Sequence, residues 1–151
     1  MSNMAEIYQP RVNTQSLKVA ILTQKILASR GIETDIAVSF YRVIALDHDN
    51  KAHDIRLLER FILFVRTIAK GFNADYAIYL TPNGAHGVIL KKVDRETWKR
   101  FYAVLLDTLT DNERLQKIID KYHVYMTLKR GYVTLRLNQI CRYVICELRE
   151  R

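Results

Sequence analysis

The sequence predicts a single α+β domain over residues 1–151, with an antiparallel sheet and a βαββαβ order of strands and helices at its centre. Three observations support this fold class. Apolar residues with a helical period alternate with short stretches rich in β-branched and aromatic residues. An Asn-Gly turn joins two of these short stretches directly, which is typical of an antiparallel hairpin. Only five Gly and two Pro occur in the chain, which argues against long disordered segments.

The first half of the chain predicts a helix, a strand and a second helix. Residues 14–30 form an amphipathic helix that Asn13 caps and Gly31 ends. Residues 36–46 form a strand that is almost continuously apolar, so we expect both of its faces to be covered. Apolar side chains recur at helical spacing over residues 54–72, which predicts the first core helix.

The second half of the chain predicts a hairpin, further helices and a group of late strands. A hairpin of residues 76–81 and 86–92 turns at Pro82-Asn83-Gly84. In order, the remaining elements are a helix over 94–109, a short helix over 111–121, a strand over 123–128, a turn at Lys129-Arg130-Gly131 and a strand over 132–137. The tail over 139–148 is interpreted as a strand extension, with a helix as the alternative. The central order is that of ferredoxin-like and RRM-like folds, with an extra N-terminal helix.

The charge and the cysteine content limit the class of partner. The net charge is +8, from 24 Lys and Arg against 16 Asp and Glu, which favours a polyanionic partner such as nucleic acid. Basic proteins that bind no anion are the alternative. No apolar run approaches the ~18 residues of a membrane span, so we expect no membrane partner. The N-terminal residues lack the apolar core of a secretory signal, and two cysteines make no disulfide framework, so we expect a cytoplasmic protein.

Two aspartates end the first strand. Asp47 and Asp49 are two positions apart, and alternate residues of a strand point to the same side. Neighbouring carboxylates repel unless a cation or a basic group lies between them. A divalent metal ion with oxygen ligands is the usual solution, which makes both residues candidate metal ligands. The alternative is that these residues form only a polar turn after the strand.

A histidine is expected beside these aspartates. In a βαββαβ unit the first and third strands are antiparallel neighbours, so the end of the first lies beside the start of the third. That topology places His86 near Asp47 and Asp49. Taken alone, His86 could equally be a hairpin histidine with an ordinary hydrogen bond.

The arrangement resembles the catalytic core of the archaeo-eukaryotic primase superfamily, which includes primase-polymerases. The family's acidic DxD motif is matched by Asp47-His48-Asp49. Its small-residue turn followed by a histidine, often S-x-x-G-x-H, is matched by Thr81-Pro82-Asn83-Gly84-Ala85-His86. The resemblance covers roughly residues 36–137. It implies that the aspartates bind Mg²⁺ or Mn²⁺ and that the histidine contacts nucleotide phosphates.

The sequence departs from this family at the third acid, which a later strand usually supplies. No Asp or Glu lies between Lys121 and Arg142, and the nearest acid is Asp120, before the predicted strand. The chain also lacks the zinc-binding module of many family members. It is similar to a reduced member of the kind expected in archaeal viruses and plasmids, which would act in the host cytoplasm.

The resemblance implies a nucleic-acid-binding protein of DNA replication with a nucleotide and metal site. If active, it would catalyse nucleotidyl transfer at Asp47, Asp49 and His86. Single-stranded nucleic acid and a nucleotide are then the expected partners. The expected phosphate-binding residues are Arg136 for the triphosphate and Lys91, Lys92, Lys129 and Arg130 for the template backbone. Tyr122, Tyr125 and Tyr132 either stack on bases or fill the core and its rim.

Three other functions remain open on the sequence. The first is a non-catalytic protein that binds single-stranded nucleic acid on the same fold. A metal-dependent nuclease is the second, because paired acids and a histidine also suit phosphodiester hydrolysis. A third is a protein-interaction module on a degenerate primase scaffold, acting as a homo-oligomer or with a replication protein.

Overall fold

A computed structural model describes residues 36–137 and 143–147 of the chain. The protein is α+β with antiparallel sheets, which confirms the predicted class. Its elements are β1 (Ile36–Phe40), β2 (Val43–Asp49), α1 (Ile55–Gly71), β3 (Tyr76–Thr81), β4 (Gly84–Lys92), α2 (Arg95–Thr110), α3 (Glu113–Gln116), α4 (Lys121–Arg130), β5 (Val133–Leu137) and β6 (Tyr143–Glu147). The predicted N-terminal helix over 14–30 lies outside the described residues.

The strands within the described residues form two sheets. A four-stranded sheet has the order β2-β4-β3-β6, and a two-stranded sheet pairs β1 with β5. Every pair of neighbouring strands is antiparallel. β2 and β4 are neighbours as expected for the first and third strands, and the C-terminal extension β6 pairs with β3 at the far edge.

The single strand predicted over residues 36–46 is wrong, because the chain bends sharply at Tyr41 and Arg42 and makes two strands. Arg42 has a φ of 59°, in the left-handed region that non-glycine residues seldom adopt. The bend lets β1 pair with β5 while β2 pairs with β4. β5 is therefore hydrogen-bonded to β1 and belongs to the smaller sheet.

The strand predicted over residues 123–128 is also wrong, because this segment is the helix α4. Asp120 caps the helix, since its side chain accepts hydrogen bonds from the backbone N–H groups of Tyr122 and His123. Gly131 ends it with a φ of 83°, so Lys129-Arg130-Gly131 is a helix terminus and not a hairpin turn. The β-branched and aromatic content of the segment is accommodated by a buried helix face that includes Val124 and Thr127.

The two long helices begin where the sequence indicates, because each has an aspartate cap. Asp54 accepts from two backbone N–H groups at the start of α1, and Asp94 accepts from Thr97 at the start of α2. α1 packs closely on β4: a Cβ at Gly87 would lie 2.6 Å from a Val65 methyl carbon. Helix and sheet therefore meet at a distance that leaves no room for a side chain at position 87.

Helix α2 covers the free edge of β2. The buried Tyr102 hydroxyl accepts a hydrogen bond from the Ala45 N–H at 2.9 Å and donates one to the Ala45 carbonyl at 2.7 Å. Trp98 donates its indole N–H to the Val43 carbonyl at 2.9 Å. These bonds satisfy backbone groups that pair with no strand among the described residues, and they fix the position of β2. None of the helices in the described part of the chain is both long and apolar enough to cross a lipid bilayer.

Candidate functional site

The site begins at the cross-strand pair of Asp47 and His86. Asp47 on β2 lies directly opposite His86 on β4 in the antiparallel register. The Nδ1 atom of His86 is 3.0 Å from the Oδ1 atom of Asp47. His86 is 8% exposed, whereas the Asp47 side chain keeps a quarter of its surface accessible. Asp47 and His86, two of the three residues expected to be catalytic, are therefore in contact in the structure.

Successive side chains of β2 point alternately to the site and to the hydrophobic core. His48, between the two aspartates, is buried with its ring stacked on Phe61 of α1 at 4.9 Å. Its Nδ1 atom lies 2.6 Å from the Ile118 carbonyl oxygen. Because neighbouring residues of a strand point to opposite faces, Asp47 and Asp49 lie on the face away from α1. Asp49 is exposed and lines the same cavity as Asp47 and His86.

The ends of β2 and β4 approach each other closely at Gly84, which follows the turn between β3 and β4. Gly84 is paired with Asp49, and a Cβ at position 84 would lie 1.8 Å from the His48 carbonyl oxygen. No real side chain fits at that distance. Gly84 is therefore required by the close approach of the two strands as well as by the turn.

Asp120 brings a third carboxyl group to the site. Its backbone N–H donates to the Asp47 carbonyl oxygen at 2.9 Å, which ties the start of α4 to the end of β2. The Asp120 carboxyl group also contributes to lowering the pKa of Asp47. The sequence identified Asp120 as the nearest acid, and the structure places it beside Asp47 because residues 121–130 form a helix and not a strand.

The two carboxyl groups have pKa values shifted in opposite directions. Burial raises the pKa of Asp47, but the contact with His86 and its charge, the charge of His123 and the Asp120 side chain together lower it, so the pKa lies below the ordinary value. Burial raises the pKa of Asp120, and the negative charge of Asp47 raises it further, against the backbone hydrogen bond from His123. Asp47 is therefore the stronger acid of the pair, and Asp120 is the one that binds a proton more readily.

His123 is a member of the site that the sequence did not identify. Its Nε2 atom lies 3.0 Å from the Thr134 carbonyl oxygen, which assigns the ring proton to Nε2. Its Nδ1 atom is buried and has no hydrogen-bond partner in residues 36–137, and the ring is near enough to interact electrostatically with Asp47 and Asp120. One sequence signal could have identified it. Asp120 lies three residues before His123, which is the spacing between a helix N-cap and the N–H group that it accepts from, and a helix here places His123 beside Asp120.

These groups line an open cavity of about 400 Å³ between the strand ends and α4. The turn residues Thr81, Pro82 and Asn83 form one wall, and Tyr122, Met126 and Arg130 of α4 form another. Arg130 is exposed and provides a positive charge at the mouth of a cavity that also contains three aspartates. This mixture of negative and positive charge matches a ligand that carries phosphate groups and, in addition, either hydroxyl groups or a bound metal ion.

Two of the basic residues expected to bind phosphate lie far from the cavity. Lys91 and Lys92 follow His86 by five and six residues along β4, so their Cα atoms are roughly 17–20 Å away. Lys91 donates to the Phe72 carbonyl at 2.8 Å and so satisfies a backbone group at the end of α1. Burial and the charge of Arg42 lower the pKa of Lys92. Arg136 lies on β5, at the register position opposite Ala37.

The donors fit a magnesium ion only if a substrate completes its ligand shell. Across the described ranges, no group of three or more His, Cys, Asp or Glu side chains is arranged to hold a metal ion. Mg²⁺ commonly binds through one or two carboxylates, with substrate phosphates and water supplying the other oxygens. Asp47 and Asp49, which point to the same side of β2, suit that mode of binding.

Comparison with protein-family models, with curated proteins and with solved structures gives no match. The class of site therefore follows from its geometry. It is an open carboxylate–histidine cluster at the ends of two adjacent antiparallel strands, with a cationic helix as one wall.

Proposed function

We propose that the protein binds nucleic acid and a nucleotide on an RRM-like βαββαβ sheet and carries out metal-dependent nucleotidyl transfer of the primase type. The observation that carries this proposal is the meeting of Asp47, His86 and Asp120 at one cavity. An acid pair, a histidine and a third acid are what the primase resemblance requires. The third acid was missing from the expected strand, and Asp120 on the cap of α4 takes its place.

The carboxylates of Asp47 and Asp49 would hold Mg²⁺ or Mn²⁺ together with the phosphate oxygens of the substrate. The bound ion would supply positive charge to stabilise the charge that develops on the transferred phosphoryl group. Asp47 suits this role because its lowered pKa keeps the carboxylate ionised. His86, held against Asp47, orients that carboxylate and presents the rest of its ring to the nucleotide.

The proposed reaction joins a nucleotide to a 3′-hydroxyl group. The hydroxyl oxygen forms a bond to the α-phosphorus, the bond from that phosphorus to the bridging oxygen breaks, and pyrophosphate leaves. The hydroxyl proton passes to a carboxylate, and Asp120 is the better acceptor because its pKa is raised. Arg130 is exposed and lines the cavity, so it can bind phosphate groups there.

A second function is favoured by a specific observation. No three-donor metal cluster occurs in the described residues, and the Asp47 carboxylate is already paired with His86. A non-catalytic protein that binds single-stranded nucleic acid would show both features. In that case Asp47 and His86 would stabilise the strand ends and take no part in chemistry.

The double substitution Asp47→Ala with Asp49→Ala separates the two functions. We expect the wild type to extend a primed template, or to synthesise a primer, with magnesium or manganese. We expect the double variant to lose this activity by at least about a hundredfold, because the carboxylates that position the charge of the transition state are gone. A binding titration with single-stranded oligonucleotide should show equal or tighter binding, because negative charge is removed from a basic protein.

The matched control is Glu59→Ala with Asp107→Ala, which removes two exposed carboxylates from α1 and α2. It changes the net charge equally and should leave the activity intact. A circular dichroism melt of both variants checks that they are folded. Wild-type activity that survives the Asp47/Asp49 substitution would refute the metal role, whereas an inactive wild type that binds oligonucleotide would favour the binding protein.

A further inference from the structure

Helix α4 has two functional faces. His123, Met126 and Arg130 are three or four positions apart and line the cavity beside Asp47. Tyr122, Tyr125 and Lys129 have the same spacing and lie on an adjacent face. Tyr122 belongs to both, because it also lines the cavity. The second face therefore starts at the site and continues along the helix.

The two tyrosines on this face are exposed to an extent that a core role would not allow. Tyr122 is 70% exposed and Tyr125 is 46% exposed, although both have large apolar rings. Side chains three positions apart on a helix have Cβ atoms about 5–6 Å from each other. Two neighbouring, unstacked bases of a nucleic acid strand can contact two rings at that separation.

The charge of the helix complements a phosphate backbone. α4 contains Lys121, Lys129 and Arg130 and no acidic residue between its first and last positions. The Lys129 ammonium lies 6.0 Å from the centre of the Tyr125 ring, so an aromatic surface and a positive charge occur side by side. An apolar protein partner would instead require an apolar stripe free of positive charge.

We propose that Tyr122, Tyr125 and Lys129 form a track on α4 for single-stranded nucleic acid, with bases stacked on the two tyrosines and the backbone held by Lys129 and Arg130. This inference rests on the proposed function, because the track leads the strand to the cavity of Asp47 and His86. Base stacking on aromatic side chains tolerates any sequence, so the track selects single strands and not a particular base order. In duplexes the faces of paired bases are already stacked, so duplexes bind only through their phosphates.

The test is a fluorescence anisotropy titration of the whole chain with a labelled thymidine oligonucleotide and with an abasic oligonucleotide of the same phosphate number. Each is titrated with wild type, Tyr122→Ala with Tyr125→Ala, and Tyr122→Phe with Tyr125→Phe. The matched control is Leu63→Ala with Val104→Ala, which truncates two exposed apolar side chains on α1 and α2. All four proteins should have the same melting temperature, because every changed side chain is exposed.

We expect the double Ala variant to bind the thymidine oligonucleotide at least about tenfold more weakly than wild type, because two stacking contacts are lost. The Phe variant and the control should bind as wild type does. The abasic oligonucleotide should bind all four proteins equally weakly. Equal binding of the thymidine oligonucleotide by wild type and the Ala variant would overturn the track and leave the proposed function standing. A wild type that binds neither oligonucleotide would overturn both.

Discussion

The carboxyl groups of Asp47 and Asp120 have opposite effects on stability as the pH changes. Asp47 has a lowered pKa in the folded protein, so its contribution is present above the unfolded value and is lost as the pH falls through the folded one. Asp120 has a raised pKa, so its ionisation in the folded protein costs stability as the pH rises through that value. Around neutral pH the pair thus contains one stabilising and one destabilising charge.

We therefore expect Asp120→Asn to stabilise the metal-free protein at pH 7. Asparagine keeps the side-chain oxygen that caps α4 but removes the charge that Asp47 repels. The gain should shrink as the pH is lowered through the pKa of Asp120, where the wild-type carboxyl becomes neutral. Urea denaturation between pH 3 and pH 8 in the presence of a chelator measures this dependence.

Asp54→Asn is the matched control, because Asp54 also caps a helix but is exposed. It should lose about 0.3–1 kcal/mol at neutral pH, since a charge that favours the helix N-terminus is removed. If Asp120→Asn lowers the free energy of unfolding at pH 7 as much as Asp54→Asn does, then repulsion between Asp47 and Asp120 does not destabilise the folded protein.

The close approach of β2 and β4 should make Gly84 the most sensitive glycine of the site. Gly84→Ala would place a methyl group against the His48 carbonyl, and only a backbone shift can relieve that contact. We expect a loss of roughly 1–3 kcal/mol in the free energy of unfolding, measured by urea denaturation. The distance between Asp47 and His86 should change with it, which NMR chemical shifts of the His86 ring would report.

Gly71→Ala provides the comparison within the same molecule. Gly71 is the last residue of α1, and apart from its chain neighbours and the backbone of its own helix, no described residue lies within 4 Å of a Cβ at this position. Alanine there should stabilise the protein by about 0.4–1 kcal/mol, because it restricts the unfolded chain. Equal effects of the two substitutions would show that the contact at Gly84 relaxes without cost.

The elements that the sequence predicted well are those with a local signal at each end. Asp54 and Asp94 cap α1 and α2, and Asn83-Gly84 joins β3 to β4 within a residue or two of the predicted bounds. The pairing of Asp47 with His86 then follows from the neighbourhood of β2 and β4. For this reason the sequence alone predicts that Asp47 and His86, which are 39 positions apart, lie close together.

The errors occur where tertiary contacts override local preference. Val124, Tyr125 and Thr127 favour a strand by type, but burial of Val124 and Thr127 against the body of the domain favours a helix. Signals for this helix are present in the sequence, with Asp120 at one end and Lys129-Arg130-Gly131 at the other. On sequence alone, Asp120 is assigned to the preceding short helix and Lys129-Arg130-Gly131 is interpreted as a turn. Arg42 has no such signal, because nothing in its local sequence indicates a positive φ.

At the scale of the whole molecule, the net charge of +8 should make binding to nucleic acid depend strongly on salt. We expect the logarithm of the binding constant for a single strand to fall linearly with the logarithm of salt concentration, with a slope of about −0.7 per neutralised phosphate. Lys129→Ala with Arg130→Ala should reduce that slope by about 1.4. Titrations between 50 and 300 mM salt would measure both slopes.

The control for this prediction is Lys99→Ala with Arg100→Ala, two exposed cations on α2. It lowers the net charge by the same amount but lies outside the track on α4. An equal reduction of the slope by both pairs would mean that the protein attracts the polyanion only through its overall charge. A reduction by the α4 pair alone would place the backbone on that helix.

The hydroxyl of Tyr102 has a consequence for how the protein behaves at high concentration. β2 is an outer strand of the four-stranded sheet, and outer strands can recruit strands from other molecules and lead to aggregation. Tyr102 occupies both hydrogen-bonding groups of Ala45, and Trp98 occupies the Val43 carbonyl. The side chains of α2 thus block intermolecular strand addition along this part of β2, and the Asp120 N–H group occupies the Asp47 carbonyl further along the same edge. Because neighbouring helices occupy the outer edge of β2, the strand can keep Asp49 accessible to solvent without making the protein prone to aggregate.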